Sequence, residues 1–156
     1  MTLAALSLTA ALALAAATAA LLTRARRHLV TVTVEGMSMS PAYLPGDRVL
    51  VSRRTRTRAA SGQVVVVERP HPVTGWSALP PLGRDVEGRE WYIKRVAAVA
   101  GEPVPTVVRK RRGLPDDTTV APGHLVVLGE HPLSEDSKQW GALPVDRVLG
   151  VVLRKL

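Results

Sequence analysis

Residues 3–22, LAALSLTAALALAAATAALL, run for twenty positions without a charge. At 1.5 Å rise per residue a helix of that length reaches about 30 Å, the thickness of a bilayer's hydrocarbon core. One N-terminal transmembrane helix is therefore expected, kept as an anchor within residues 1–28. A removable leader is the competing reading, because Ala15-Ala16-Ala17 and Ala17-Thr18-Ala19 look like cleavage sites. The length of the run, and the absence of a basic residue ahead of it, favour the anchor. Arg24, Arg26 and Arg27 follow the run, so the positive-inside rule alone would keep the remainder in the cytoplasm.

From Leu29 the pattern changes to short strands separated by turn residues, with no long 3.6-residue periodicity. Leu29 to Glu35 alternates branched apolar and polar residues. Arg48 to Ser52 is entered through Leu44-Pro45-Gly46-Asp47. Gln63 to Glu68 is a continuous valine run, as in a strand buried on both faces. Trp91 to Ala100, His124 to Leu128 and Arg147 to Leu153 complete the strands, while 69–90 and 110–122 read as surface loops rich in Pro and Gly. The fold class is mainly β, a sheet body over residues 29–156. With no Phe, three Trp and two Tyr, its core is aliphatic.

Composition removes several function classes. The chain has no Cys, which excludes disulfides, thiolate nucleophiles and thiolate metal sites. His28, His71, His124 and His131 are scattered without ligand spacing, so no metal is expected. No Gly-rich phosphate loop occurs, and no cofactor is implied. The net charge of +8 sits in separate clusters (24–27, 53–58 and 109–112) with few aromatics between them. That suits a solvated or membrane-facing surface rather than nucleic acid.

Three segments carry possible chemistry. In Gly36-Met37-Ser38-Met39-Ser40-Pro41 a Gly and a Pro flank a Ser on a bend, which would expose its hydroxyl. In Tyr92-Ile93-Lys94-Arg95-Val96 a lysine lies in an apolar strand, on the face of Tyr92 and Val96. Burial would lower its pKa and make a base of it; snorkelling to the strand edge is the alternative. The third segment, Gly129 to Gly141, gathers hydroxyls, carboxylates and a lysine in one turn-rich loop.

Together they resemble the boxes of type I signal peptidases, including the small Gram-positive forms and the mitochondrial inner-membrane peptidase. The family's Ser-Met-x-Pro-Thr-Leu-x-x-Gly-Asp is matched by Ser38 to Asp47, with Ala42 and Tyr43 for Thr and Leu. Its Tyr-x-Lys-Arg-Val and following Gly-Asp are matched by Tyr92 to Val96 and Gly101-Glu102. Its Gly-Asp-Asn, Ser-x-Asp-Ser-Arg and final Gly are matched by Gly129, Ser134, Asp136, Ser137 and Gly141. Glu130-His131 replaces Asp-Asn, and Lys138 replaces Arg. Lysine lacks the planar fork of arginine, so a looser Asp136–Lys138 link is expected.

The resemblance implies an antiparallel signal-peptidase-like sheet and a Ser–Lys dyad acting through an acyl-enzyme. Ser38 would be the nucleophile and its backbone N–H an oxyanion donor. Lys94 would be the general base, Ser134 would hydrogen-bond its amine, and Asp136 would brace the loop. Gly36 stands where some members carry a second oxyanion donor. Partners would be signal-peptide-bearing preproteins with small residues before the cut, and the lipid bilayer. The body would lie on the outer face of a cell membrane, held by a single pass, and the resemblance outweighs the three-arginine bias. A dedicated maturation protease for one leader, or a catalytically silent membrane-tethered β module, are the alternatives.

Overall fold

The computed structural model describes residues 3–26, 28–77, 79–83, 86 and 88–156, with backbone alone at 3–10, 24–26 and 56. The first element is helix α1, Leu3–Arg26. Among the described residues no helix is long and apolar enough to cross a membrane, which corrects the expected transmembrane helix. The side chains described on α1 are those of residues 11–23. Arg27, and the side chains of Arg24 and Arg26, lie outside the described residues.

Seven strands follow: β1 Leu29–Thr33, β2 Arg48–Ser52, β3 Val64–Glu68, β4 Trp91–Val99, β5 His124–Leu128, β6 Leu143–Pro144 and β7 Val148–Lys155. They form one sheet in the order β1-β2-β7-β3-β4-β5-β6, and every pairing is antiparallel. The mainly β expectation holds. Each of the six expected strands forms, with ends shifted by at most two residues.

The valine run explains the layout. β3 pairs with β4 on one side and β7 on the other, and all five of its residues are buried. Its side chains alternate between two cores. Val64 and Val66 pack with Val34, Met39, Val49, Val51, Ile93 and Leu149. Val65 and Val67 pack with Val96, Leu125, Val127, Leu143, Val148 and Val151. A strand covered on both faces needs no polar alternation, which is why its sequence shows none.

Two helices in the body were not expected: α2, Thr106–Arg112, and α3, Ser137–Trp140. The first occupies part of the segment read as a loop. It buries only Val108, and seven residues are too few to show a period. Its ends do carry a signal, since Pro105 precedes the first turn and Gly113 follows the last at φ 64°.

The 69–90 segment is tied down by charge. Glu68, 2 % exposed at the end of β3, receives Arg89 at 2.5 Å and Arg147 at 3.3 Å. Arg89 also donates to the carbonyls of Pro80 and Pro81, and Arg147 to those of Leu79 and Pro80. Removing the carboxylate's charge would leave two largely buried guanidinium groups facing each other. Glu68→Gln is expected to cost about 3 kcal/mol, read as a lowered urea midpoint with unchanged slope.

Candidate active site

Ser38 sits at the head of a loop that continues the β1–β2 hairpin. Two bonds close the neck, Val34 N–H to Asp47 O at 2.8 Å and Gly46 N–H to Val34 O at 2.9 Å. Gly36, at φ 74°, turns the chain through the left-handed region, which costs a residue with a Cβ about 1 kcal/mol. Met39 is fully buried in the first core and pins the loop from below. Ser38 is thus held half-buried between this plug and the exposed Met37. Its Oγ donates to the carbonyl of Ile93 at 3.4 Å.

Ile93 immediately precedes Lys94. Lys94 pairs with Val65 in the β3–β4 ladder and is 0 % exposed, so it does not snorkel. Among the described residues its Nζ has no hydrogen-bond partner, and it lies 4.8 Å from the centroid of the Tyr92 ring, on the face the strand alternation gives. Burial pulls the amine down to about 8, against the opposing pull of Asp136 and Glu135 and with help from Lys138.

The third segment meets the first through backbone. The Ser38 carbonyl accepts the N–H groups of Glu130 at 2.9 Å and His131 at 3.1 Å. Gly129 is the spacer. A Cβ there would stand 1.9 Å from Ser134 Oγ and 2.6 Å from Ser38 O. Asp136, fully buried, organises the loop. Its oxygens accept Gly129 N–H at 2.9 Å, Lys138 N–H at 3.0 Å and Lys138 Nζ at 2.6 Å. It also caps α3 in a capping box with Gln139. The Lys138 contact is one-pronged but short, not the loose link expected. Ser137 Oγ accepts the Val127 N–H, fastening α3 to β5.

All four candidate residues gather at this one place, with one difference from expectation. Ser134, though 3 % exposed, does not hydrogen-bond Lys94. Its Oγ donates to the Glu135 carbonyl at 3.4 Å, turned there against the Gly129 backbone. The two Gly–acid pairs prove architectural. Asp47 accepts Leu44 N–H and Lys155 Nζ, while Glu102 accepts Ser61 Oγ and Val99 N–H. These partners hold both carboxyls below their usual range.

An aromatic cluster that sequence reasoning passed over adjoins the amine. Tyr92 stacks on Trp140 at 5.4 Å and 14°, and Trp76 meets Trp140 edge-on. Glu135 accepts the Tyr92 hydroxyl at 2.9 Å and the Trp140 indole N–H at 3.0 Å. Arg69 lies over the Tyr92 ring and 3.8 Å from Glu135. Burial first, then the Glu135 carboxylate, pushes the Tyr92 hydroxyl up to about 12. The available signal was the shared face of Tyr92 and Lys94.

The family model described as signal peptidase, peptidase S26, matches residues 5–111, more than half of the chain. The chain belongs to this signal peptidase family. The match takes in Ser38 and Lys94 and ends before the third segment, which holds Ser134 and Asp136. Comparison with curated proteins finds no match. A cavity of about 600 Å³ is lined by Arg69, Pro70, Leu79, Pro80 and Arg89 among others, and Ser38 and Lys94 are not among its lining residues.

Gly129→Ala is expected to abolish peptidase activity while the far sheet survives, checked by assay beside circular dichroism. Lys94→Met, which removes a buried amine, is expected to raise stability at pH 7 by about 1–3 kcal/mol. Below about pH 8 the amine is protonated folded and unfolded alike, and the cost of burying its charge is fully present. Between about 8 and 10.5 the unfolded chain binds more protons, so the wild type gains on the variant. Denaturant titrations at pH 7 and pH 10 read that convergence.

Proposed function

We propose that this peptidase removes N-terminal signal peptides from exported proteins, with Ser38 as nucleophile and Lys94 as general base. One observation carries the reading: a fully buried amine with no hydrogen-bond partner among the described residues, on the residue that follows the carbonyl to which Ser38 Oγ donates. An amine lowered to about 8 is neutral in a useful fraction near neutral pH and can take a proton.

In the proposed reaction the Ser38 hydroxyl turns from Ile93 O towards Lys94 Nζ. As Oγ forms its bond to the scissile carbonyl carbon, the hydroxyl proton passes to the amine. The carbonyl oxygen takes the negative charge, with the Ser38 backbone N–H as a donor. The C–N bond then breaks, and the Lys94 ammonium returns the proton to the leaving amine. A water deprotonated by the same amine hydrolyses the ester and frees Ser38. Asp136 and Ser134 hold the Gly129 loop against the nucleophile.

Substrates are preproteins with small residues before the cut. We further propose that residues 1–28 attach the enzyme to a membrane and that residues 29–156 act on its outer face. The uncharged run at 3–22 and the family's general membrane association support this.

Incubation in detergent with a peptide bearing an Ala-x-Ala leader tests the reaction. Cleavage after the small residue, lost by at least about 10³-fold in Ser38→Ala and in Lys94→Ala, is the expected result. Its kcat/KM should rise with pH through a midpoint near 8, because the base must be neutral. A folded wild type that leaves the peptide intact would point to a dedicated maturation protease.

A further inference from the structure

Glu135 occupies the variable position between Ser134 and Asp136, and nothing in the dyad chemistry calls for a carboxylate there. Its environment is nevertheless built. One oxygen takes the Trp140 indole N–H and the other the Tyr92 hydroxyl. Arg69 approaches the same carboxylate at 3.8 Å while its guanidinium lies over the Tyr92 ring. That ring stacks on Trp140 and stands 4.8 Å from Lys94 Nζ. The carboxylate therefore fixes the Tyr92 ring beside the amine, together with the Trp140 ring stacked on it, and leaves a negative charge close by.

We propose that Glu135 is a positioning residue for the Lys94 base, holding the Tyr92–Trp140 stack over the amine while its charge favours the ammonium. The proposal rests on the dyad reading of the site. Two opposed effects meet at one atom. Burial of the amine, with the Tyr92 ring against it, favours the neutral form; the carboxylate favours the charged form. Together they keep the amine a base that can also return its proton.

The charged groups around the amine are Glu135, Asp136 and Lys138 from the α3 loop and Arg69 from the segment after β3, and the neutral Tyr92 hydroxyl of β4 is the other titratable group there. Asp136 is engaged by Gly129 and by Lys138, and Glu90 by Arg69. Glu130 is paired with Arg95. Glu135 itself is pushed up by burial, yet the bonds from Trp140 and Tyr92 and the nearby cations outweigh this and keep its carboxyl below the usual range. It is ionised throughout the pH range in which Lys94 titrates.

The test follows Lys94 by NMR in the full chain in detergent, with ¹³C at the lysine ε-carbons. The sequence has only Lys94, Lys110, Lys138 and Lys155, and Lys94→Met assigns the signal. In Glu135→Gln the Lys94 midpoint should fall by about half a unit to one unit, and the acidic limb of kcat/KM should move down with it. Arg69→Gln, which strips the carboxylate of its cation, should move both upwards and serves if Glu135→Gln fails to fold. An unmoved midpoint in a folded Glu135→Gln, or in Arg69→Gln where that variant serves in its place, overturns the proposal; lost activity alone would reflect packing. The NMR midpoint needs no turnover. Retained cleavage by Ser38→Ala and Lys94→Ala would instead overturn the dyad reading, whatever the midpoint does.

Discussion

The carbonyl oxygen of Ser38 accepts two successive backbone N–H groups, those of Glu130 and His131, and the geometry of the site hangs from that clasp. It joins a loop that leaves β1 to a loop that leaves β5, across four intervening strands of the sheet order. Each buried donor must find an acceptor, and here both find the same one. Gly129 lets the two backbones close to a distance that no side chain could share. Asp136 in turn holds Gly129 by its N–H. Position passes from a buried carboxylate, through a glycine, to a serine.

The second dependence is on dryness. β3 is buried throughout, and the residue paired with Val65 is a lysine. A lysine in that register has nowhere to send its ammonium except over the Tyr92 ring. The same burial that costs stability pulls the amine down to about 8, so the fold gives up free energy to keep it dry. Glu68 sits in the same strand and faces the same problem. There the solution is two arginines.

The strands were legible because their patterns are local: alternation in β1, an unbroken apolar run in β3, turn residues at the ends. Ser38 and Lys94 stood out through motif spacing, and the family match takes in both. The short helices were not, since α2 buries only Val108 and α3 lasts four residues. The orientation of the Ser134 hydroxyl was beyond reach for a different reason. It depends on how closely Gly129 approaches two other segments, a tertiary fact with no trace in residue order. Glu135 looked like one charge among many, because its partners Arg69, Tyr92 and Trp140 come from distant parts of the chain. The replacement of Asp-Asn by Glu130-His131 was visible in the sequence as a departure from the family's motif. It is harmless to the clasp, which uses only their N–H groups.

The grip on the 79–81 segment has a similar character. Arg89 and Arg147 hold it by the carbonyls of Leu79, Pro80 and Pro81, groups that every amino acid carries. A fastening of that kind is blind to side-chain identity. Mutation can rewrite what this stretch displays to its surroundings without loosening its attachment, provided Glu68 and the two arginines stay. The enzyme thus carries a surface free to diverge, tethered to a core that is not.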